Sequence, residues 1–229
     1  MRFSAFLFAV VFFTGFSAAV LFSDTVLTDP LIPDGEKISY SVTIENRTFT
    51  RMQTILQKTE NGKELYEVTS DSQSEDQRLK IDRRKMEVVY SWTKVKAKYF
   101  TVEKEITTHK NVIPTNKNEI AIIEYNGMTH LFRGFPFPAT RSIRVRTSEG
   151  GDILILATFT KETDVATKLG TVRCFELEVG LDGLLGIFFP KTYVWYTKEA
   201  PHYMVKYEGI SGGPGSPVMK MEITGYEVK

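Results

Sequence analysis

In KISYSVTIEN, Ile38, Tyr40, Val42 and Ile44 fall on one side of an extended backbone, and Ser39, Ser41, Thr43 and Glu45 fall on the other. A helix would scatter both sets round its surface, so this period of two predicts a strand with one wet and one buried side. The same alternation recurs in FTRMQTILQK, ELYEVTSDS, MEVVYSW, KAKYFTVEKEIT, EIAIIEY and SIRVRT, then in DILILATFTKE, TVRCFELEV, KTYVWYT, HYMVKYE and VMKMEIT. Turn signals such as Asn61-Gly62, Gly150-Gly151 and Gly209 separate the runs. So many closely spaced strands with almost no helix predict an all-β, antiparallel meander curled into an open barrel or half-barrel, with a β-sandwich as the alternative. NGMTHLFRGFPFPAT departs from the pattern and reads as one short helical segment near 127–134, stopped by Gly134 and Pro136. DILILATFTKE and EIAIIEY are apolar on both faces, so something apolar must cover each second face. The cover is either LFRGFPFP, with its neighbouring loops, or an apolar ligand.

The start of the chain sets its expected destination. Met1 and Arg2 precede the apolar run FSAFLFAVVFFTGFSAAVLF, and the polar SDTVLTDP follows it, which is the layout of a secretory signal. Ser17 and Ala19 place the cut after Ala19. The expected division is a signal peptide over 1–19, a linker over 20–34 and a single β domain over 35–229. Left uncut, the apolar run of about 20 residues is long enough to be an N-terminal membrane anchor, which is the alternative. After cleavage no membrane span is expected. A formal charge of +1 gives no electrostatic footprint for nucleic acid. The single cysteine, Cys174, cannot form an internal disulfide, and within TVRCFELEV it reads as a small buried strand residue. Stability must therefore come from the core and the strand ladders.

Reactive constellations are absent from the sequence. His109, His130 and His202 stand far apart, with no HxxxH or HExxH motif, and no GxSxG elbow occurs. Glu176 and Glu178 alternate with Phe175, Leu177 and Val179, as the wet face of a strand does. The basic run RLKIDRRK, residues 78–85, follows the acidic SQSEDQ and reads as a surface hairpin rather than a headgroup-binding patch. The glycine-rich loop from Ser211 to Pro217 lacks GxxxxGK[ST], loses two N–H donors to Pro214 and Pro217, and leads into a strand. It reads as a hairpin connection. No catalytic residue, metal or cofactor is expected, and the chain reads as a non-enzyme. The aromatic residues lean toward a ligand instead: Phe188, Phe189, Tyr193, Trp195 and Tyr196 crowd into LLGIFFPKTYVWY, and LFRGFPF adds Phe132, Phe135 and Phe137. They form core, or, if the sheet curls halfway, LFRGFPF caps an apolar cavity with Arg133 at its mouth. The candidate ligand-binding residues are Leu131, Phe132, Arg133, Phe135, Phe137, Phe189 and Trp195.

KTYVWYTKEAPHYMVKYEGISGGPGSP resembles the C-terminal part of an exported bacterial family, "domain of unknown function 3108". PDGEKISYSV resembles that family's opening strand, where a Gly-Glu pair precedes an alternating run, and LFRGFPF is similar to a short segment containing arginine and aromatics. The resemblance implies a mostly antiparallel sheet in the periplasm of a Gram-negative bacterium, akin to the open-barrel carriers of lipoproteins and lipids. It supplies no catalytic residue. The expected function is a module that binds or carries an apolar, lipid-like group in the cell envelope, with a lipid or lipoprotein as partner. The alternative is a structural or adaptor protein that binds an envelope protein through edge strands or loops.

Overall fold

Thirteen strands form one sheet in the computed structural model, which describes residues 27–96, 101–107, 119–122, 127–138, 142–147, 153–183, 186, 189–211 and 215–229. In chain order they are β1 (Glu36–Ile44), β2 (Arg47–Glu60), β3 (Lys63–Ser72), β4 (Glu75–Asp82), β5 (Glu87–Lys96), β6 (Thr101–Thr107) and β7 (Glu119–Ile122). After a short helix, α1 (Met128–Leu131), and a 3₁₀ turn at Phe132–Gly134 come β8 (Ser142–Thr147), β9 (Ile153–Thr167) and β10 (Gly170–Leu181). The chain finishes with β11 (Thr192–Thr197), β12 (Met204–Ile210) and β13 (Val218–Glu227). The spatial order is β6-β5-β4-β3-β2-β1-β13-β12-β11-β10-β9-β8-β7. Every ladder is antiparallel except that of β7 with β8. β6 and β7 are the two edges, and β5 approaches β7, so the sheet curls round without closing. The architecture is the expected open barrel, not a sandwich.

The buried side follows the alternation read from the sequence. On β1 it carries Glu36, Ile38, Tyr40 and Val42, and on β13 Met219, Met221 and Ile223. EDQRLKID, which showed only its charges, is a strand as well: Gln77, Leu79 and Ile81 of β4 are buried while Arg78 and Lys80 face outward to Glu67 and Glu60. The β4–β5 turn that follows makes the basic run the surface hairpin it resembled.

The parallel pairing of β7 with β8 has a structural cost. A chain leaving one strand at one end must travel back along the barrel before it can enter a parallel neighbour. The described part of that return, residues 127–138, lies on the inner side of the sheet. Leu131, Phe132 and Phe135 are buried there, the Tyr196 hydroxyl of β11 donates to the Thr129 carbonyl at 2.9 Å, and Phe137 stacks on Phe175 of β10 at 4.8 Å. Residues 27–34, within the stretch expected as a linker, pack beside it. Leu27 and Ile32 are fully buried, and Thr28 N–H donates to the Gly134 carbonyl at 2.9 Å. A Cβ at Gly134 would meet the Thr28 carbonyl oxygen at 2.2 Å, so only glycine admits this approach. The signal peptide expected over 1–19 lies outside the described residues. No helix among the described residues is long and apolar enough to cross a membrane.

One ion pair anchors the inner segment to the sheet. Arg133 grips the Glu36 carboxylate with both terminal nitrogens, Nη1 to Oε2 at 2.6 Å and Nη2 to Oε1 at 2.9 Å, and both side chains are buried. Its Nε donates to the Pro201 carbonyl at 3.0 Å, and the Tyr226 hydroxyl donates to Glu36 Oε1 at 3.1 Å. Every charged atom therefore has a partner, which is the condition under which such a pair can be tolerated away from water. Arg133→Met strands the Glu36 charge and should lower stability by about 3–5 kcal/mol in urea unfolding, with part of that loss recovered on adding Glu36→Gln. A loss below about 1 kcal/mol for the single variant would show that the pair does not hold the segment.

Candidate functional site

The inner face of the curled sheet is divided into a polar and an apolar half. Gln53 of β2, Ser70 of β3, Gln77 of β4 and Thr93 of β5 lie directly opposite one another in successive ladders, and all four are buried. On the same face of β2 as Gln53, two residues nearer its start, is Arg51, paired in register with Tyr40 of β1. Across the concavity stand Ile155, Val179, Val194, Met219 and Met221, from β9, β10, β11 and β13. Between the two walls is a cavity of about 90 Å³, counted as the space open to the centre of a water molecule. One water needs about 10–15 Å³ on this measure, so there is room for several waters or for one chain-like molecule.

The inner segment is the floor of this cavity: Met128, Thr129 and Phe132 face it. Its rim comprises Leu181, Phe189, Pro190, Ile210 and Ser211, all half-buried or exposed. These residues flank the β10–β11 and β12–β13 connections, which the antiparallel ladders bring to the same end of the barrel. The glycine-rich loop is thus a hairpin connection, as read, and its first residue borders the opening.

Burial sets the protonation states around the floor. Desolvation, then the nearby Arg133 and Arg51 charges, push the pKa of His130 down to about 3, so the imidazole is neutral, and its Nε2 has no hydrogen-bond partner among the described residues. Burial raises the Tyr40 and Tyr196 phenols, which remain protonated donors; Tyr40 donates to the Met204 carbonyl at 3.1 Å. Arg133 is offset by Glu36. Arg51 has no such partner among the described residues, and Arg51 Nε and Gln77 Nε2 are buried donors with nothing to bind.

Two of the seven candidate residues meet the cavity: Phe132 at its floor and Phe189 at its rim. Leu131 and Phe135 are fully packed in the core. Phe137 belongs to an aromatic cluster with Phe159, Phe175 and His202, toward the opposite end of the barrel. Arg133 is not at the mouth as expected; its charge is neutralised by Glu36 beneath the floor. Trp195 lies on the outer face, because Thr192 and Val194 point into the cavity and alternation turns Trp195 away. There its indole N–H donates to Glu176 at 3.0 Å, and Lys206 sits 4.9 Å from the ring centre. Glu178 is on the wet face with Lys191 at 2.7 Å, whereas Glu176 is nearly buried under the indole.

The remaining reactive types do not gather. Cys174 is buried, and desolvation pushes its thiol up to about 12, so it holds no thiolate. His202 Nδ1 lies 2.8 Å from the Thr197 carbonyl, and His109 is outside the described residues. Among the described residues no three His, Cys, Asp or Glu side chains converge as metal ligands would. The residues that sequence reading missed are Arg51, Gln53 and Gln77 on one wall and Met219 and Met221 on the other. Parity was the available signal: Arg51 and Gln53 share a face with Ile55, and Gln77 with Leu79 and Ile81, so polar groups stood where the pattern demanded burial.

The family model described as protein of unknown function, DUF3108, matches residues 69–224. LFRGFPF and the whole of the C-terminal run lie inside that span, and PDGEKISYSV precedes it. No curated protein matches the sequence. Among solved structures, a β-barrel-like protein of domain of unknown function DUF1849 from Brucella abortus aligns with a TM-score of 0.46 and 9% identity, over 86% of this chain and 98% of its own. A Bacteroides fragilis protein with a YmcC-like fold gives 0.36 and 9%, over 89% and 99%. A LolA superfamily protein from Nitrosomonas europaea gives 0.28 and 6%, over 90% of each chain. Strand order and register define the present fold independently of these likenesses.

The neutral His130 makes stability depend on pH in one direction. Its pKa is about 3 when folded against an ordinary 6.5, so unfolding takes up a proton below pH 6.5. Its contribution is full above that value and falls by up to about 1.4 kcal/mol per pH unit on acidification toward pH 3. His130→Leu should flatten that part of the profile in urea titrations between pH 6 and 4; an unchanged slope would refute the assignment.

Proposed function

The chain belongs to the family described as protein of unknown function, DUF3108, and from that premise we propose that it is an exported, non-catalytic module that shelters an apolar, lipid-like group inside its curled sheet. The observation that carries this reading is the cavity. One wall is aliphatic and methionine-rich, from Ile155, Val179, Val194, Met219 and Met221, and the opening is rimmed by Leu181, Phe189 and Ile210. A void bounded in this way forfeits dispersion contacts while it is empty and regains them when an apolar chain enters. Methionine walls adapt to chains of different length and branching, which suits a carrier more than a selective enzyme. Export is supported by the charged start, apolar run and small residues of positions 1–19, with the periplasm as the compartment in which such a carrier would work. Among the described residues that line the cavity there is no acid, histidine or cysteine, which is in keeping with a binding role.

Uptake of the apolar fluorophore N-phenyl-1-naphthylamine by the purified protein tests the reading. The protein should bind it at one site. Leu181→Trp at the rim and Val194→Trp in the wall should each weaken binding by about tenfold or more, about 1.4 kcal/mol. Trp195→Phe, on the outer face, should leave it unchanged. Absence of uptake, or equal uptake by all four proteins, would overturn the proposal, and a lipid-free protein that purifies with a stoichiometric protein partner would support the adaptor alternative instead.

A further inference from the structure

The polar wall of the cavity carries a charge that no carboxylate among the described residues answers. Arg51, itself half-buried, lies on the inner face of β2 with Gln53, a residue 5% exposed, and faces the same space as Gln77 of β4, which is 6% exposed. Arg51 Nε and Gln77 Nε2 are both buried without a hydrogen-bond partner. Leaving two donors unpaired is costly, and a fold with no use for them would hold an aliphatic pair in their place. The two other cationic groups near the floor are already accounted for. Arg133 is satisfied by Glu36, Pro201 and its own fork geometry, and His130 is neutral. Among the described residues no carboxylate answers Arg51, so it sets a positive charge on the polar wall of the cavity, while the facing wall and most of the rim are apolar.

We propose that the cavity binds a single-chain amphiphile with a monoanionic, carboxylate head, which Arg51 neutralises and Gln77 hydrogen-bonds, while the alkyl chain lies along the β9–β13 wall. This rests on the reading of the cavity as an apolar binding site and specifies the chemistry of its ligand. A carboxylate matches the planar fork of a guanidinium, and one negative charge matches the positive charge of Arg51, which has no ion-pair partner among the described residues. A bulky diester head with two chains fits less well, because the void admits one chain-like molecule.

Four probes of one chain length separate the outcomes: decanoate, decanol, decyl phosphate and decyltrimethylammonium, titrated below their aggregation limits by calorimetry. The wild-type protein should bind decanoate roughly tenfold or more tightly than decanol, the effect of a hydrogen-bonded charge pair. Arg51→Met should remove that preference and leave decanol within about twofold of wild type; Gln77→Leu should reduce it in part. Equal binding of decanoate and decanol by the wild type, or binding of decyltrimethylammonium as tight as that of decanoate, would overturn the assignment of Arg51 while leaving the apolar site in place. Decyl phosphate preferred tenfold over decanoate would overturn the monoanionic head. If none of the four binds, the apolar site and the head-group assignment fail together.

Discussion

A guanidinium and a carboxylate sealed inside the curled sheet hold this architecture together. Glu36 opens β1, and Arg133 sits in the segment that returns from β7 to β8. Pro201 precedes β12 and accepts the Nε hydrogen of the guanidinium, and the Tyr226 hydroxyl of β13 donates to the carboxylate. Four stretches far apart in sequence, PDGEK, LFRGFPF, KEAPHY and TGYEVK, thus meet at one point. A buried pair of this kind adds little net stability relative to apolar side chains of the same volume, because both ions lose their hydration. What it does well is penalise every alternative placement, since any shift of the inner segment strands a charge in the interior.

That fixed segment decides where the cavity is. The crossover between two parallel strands must run back along the barrel, and its described part, residues 127–138, runs inside. With Leu27, Ile32, Leu131 and Phe135 it fills one end of the concavity. Met128, Thr129 and Phe132 stop short of the other end, so the space toward the β10–β11 and β12–β13 connections remains open. The same segment that builds core below is a floor above. This accounts for the split fate of the aromatic candidates, with Phe135 and Phe137 packed and Phe132 at the boundary.

Part of this site was written in the alternation, and part was hidden by it. LFRGFPF was legible as a break that covers the sheet because glycine and proline interrupt a pattern that is otherwise uniform, but the sequence read it as a cap at the mouth and the structure places it at the floor. Gln53 and Gln77 carried a signal in their parity, yet a strand with polar residues on both faces reads as an edge or a ribbon until its neighbours are known. Arg133 and Arg51 could not be told apart in sequence: each is an arginine beside apolar residues. One is neutralised by a carboxylate 97 positions away, and the other has none among the described residues. Trp195 looked like a ligand contact for its size alone, and the parity of β11 places it outside.

The sequence by itself determined the strand count to within one element, the antiparallel sheet, the short helical break and the absence of a local catalytic or metal motif. Each of these depends on neighbours along the chain: side-chain period, turn residues and motif spacing. Tertiary structure alone decided how far the sheet curls, which wall faces which, and which charges find partners. Those outcomes depend on contacts between residues far apart in the chain, as Glu36 and Arg133 are at 97 positions and Glu36 and Tyr226 at 190, and such contacts leave no periodic trace in the sequence.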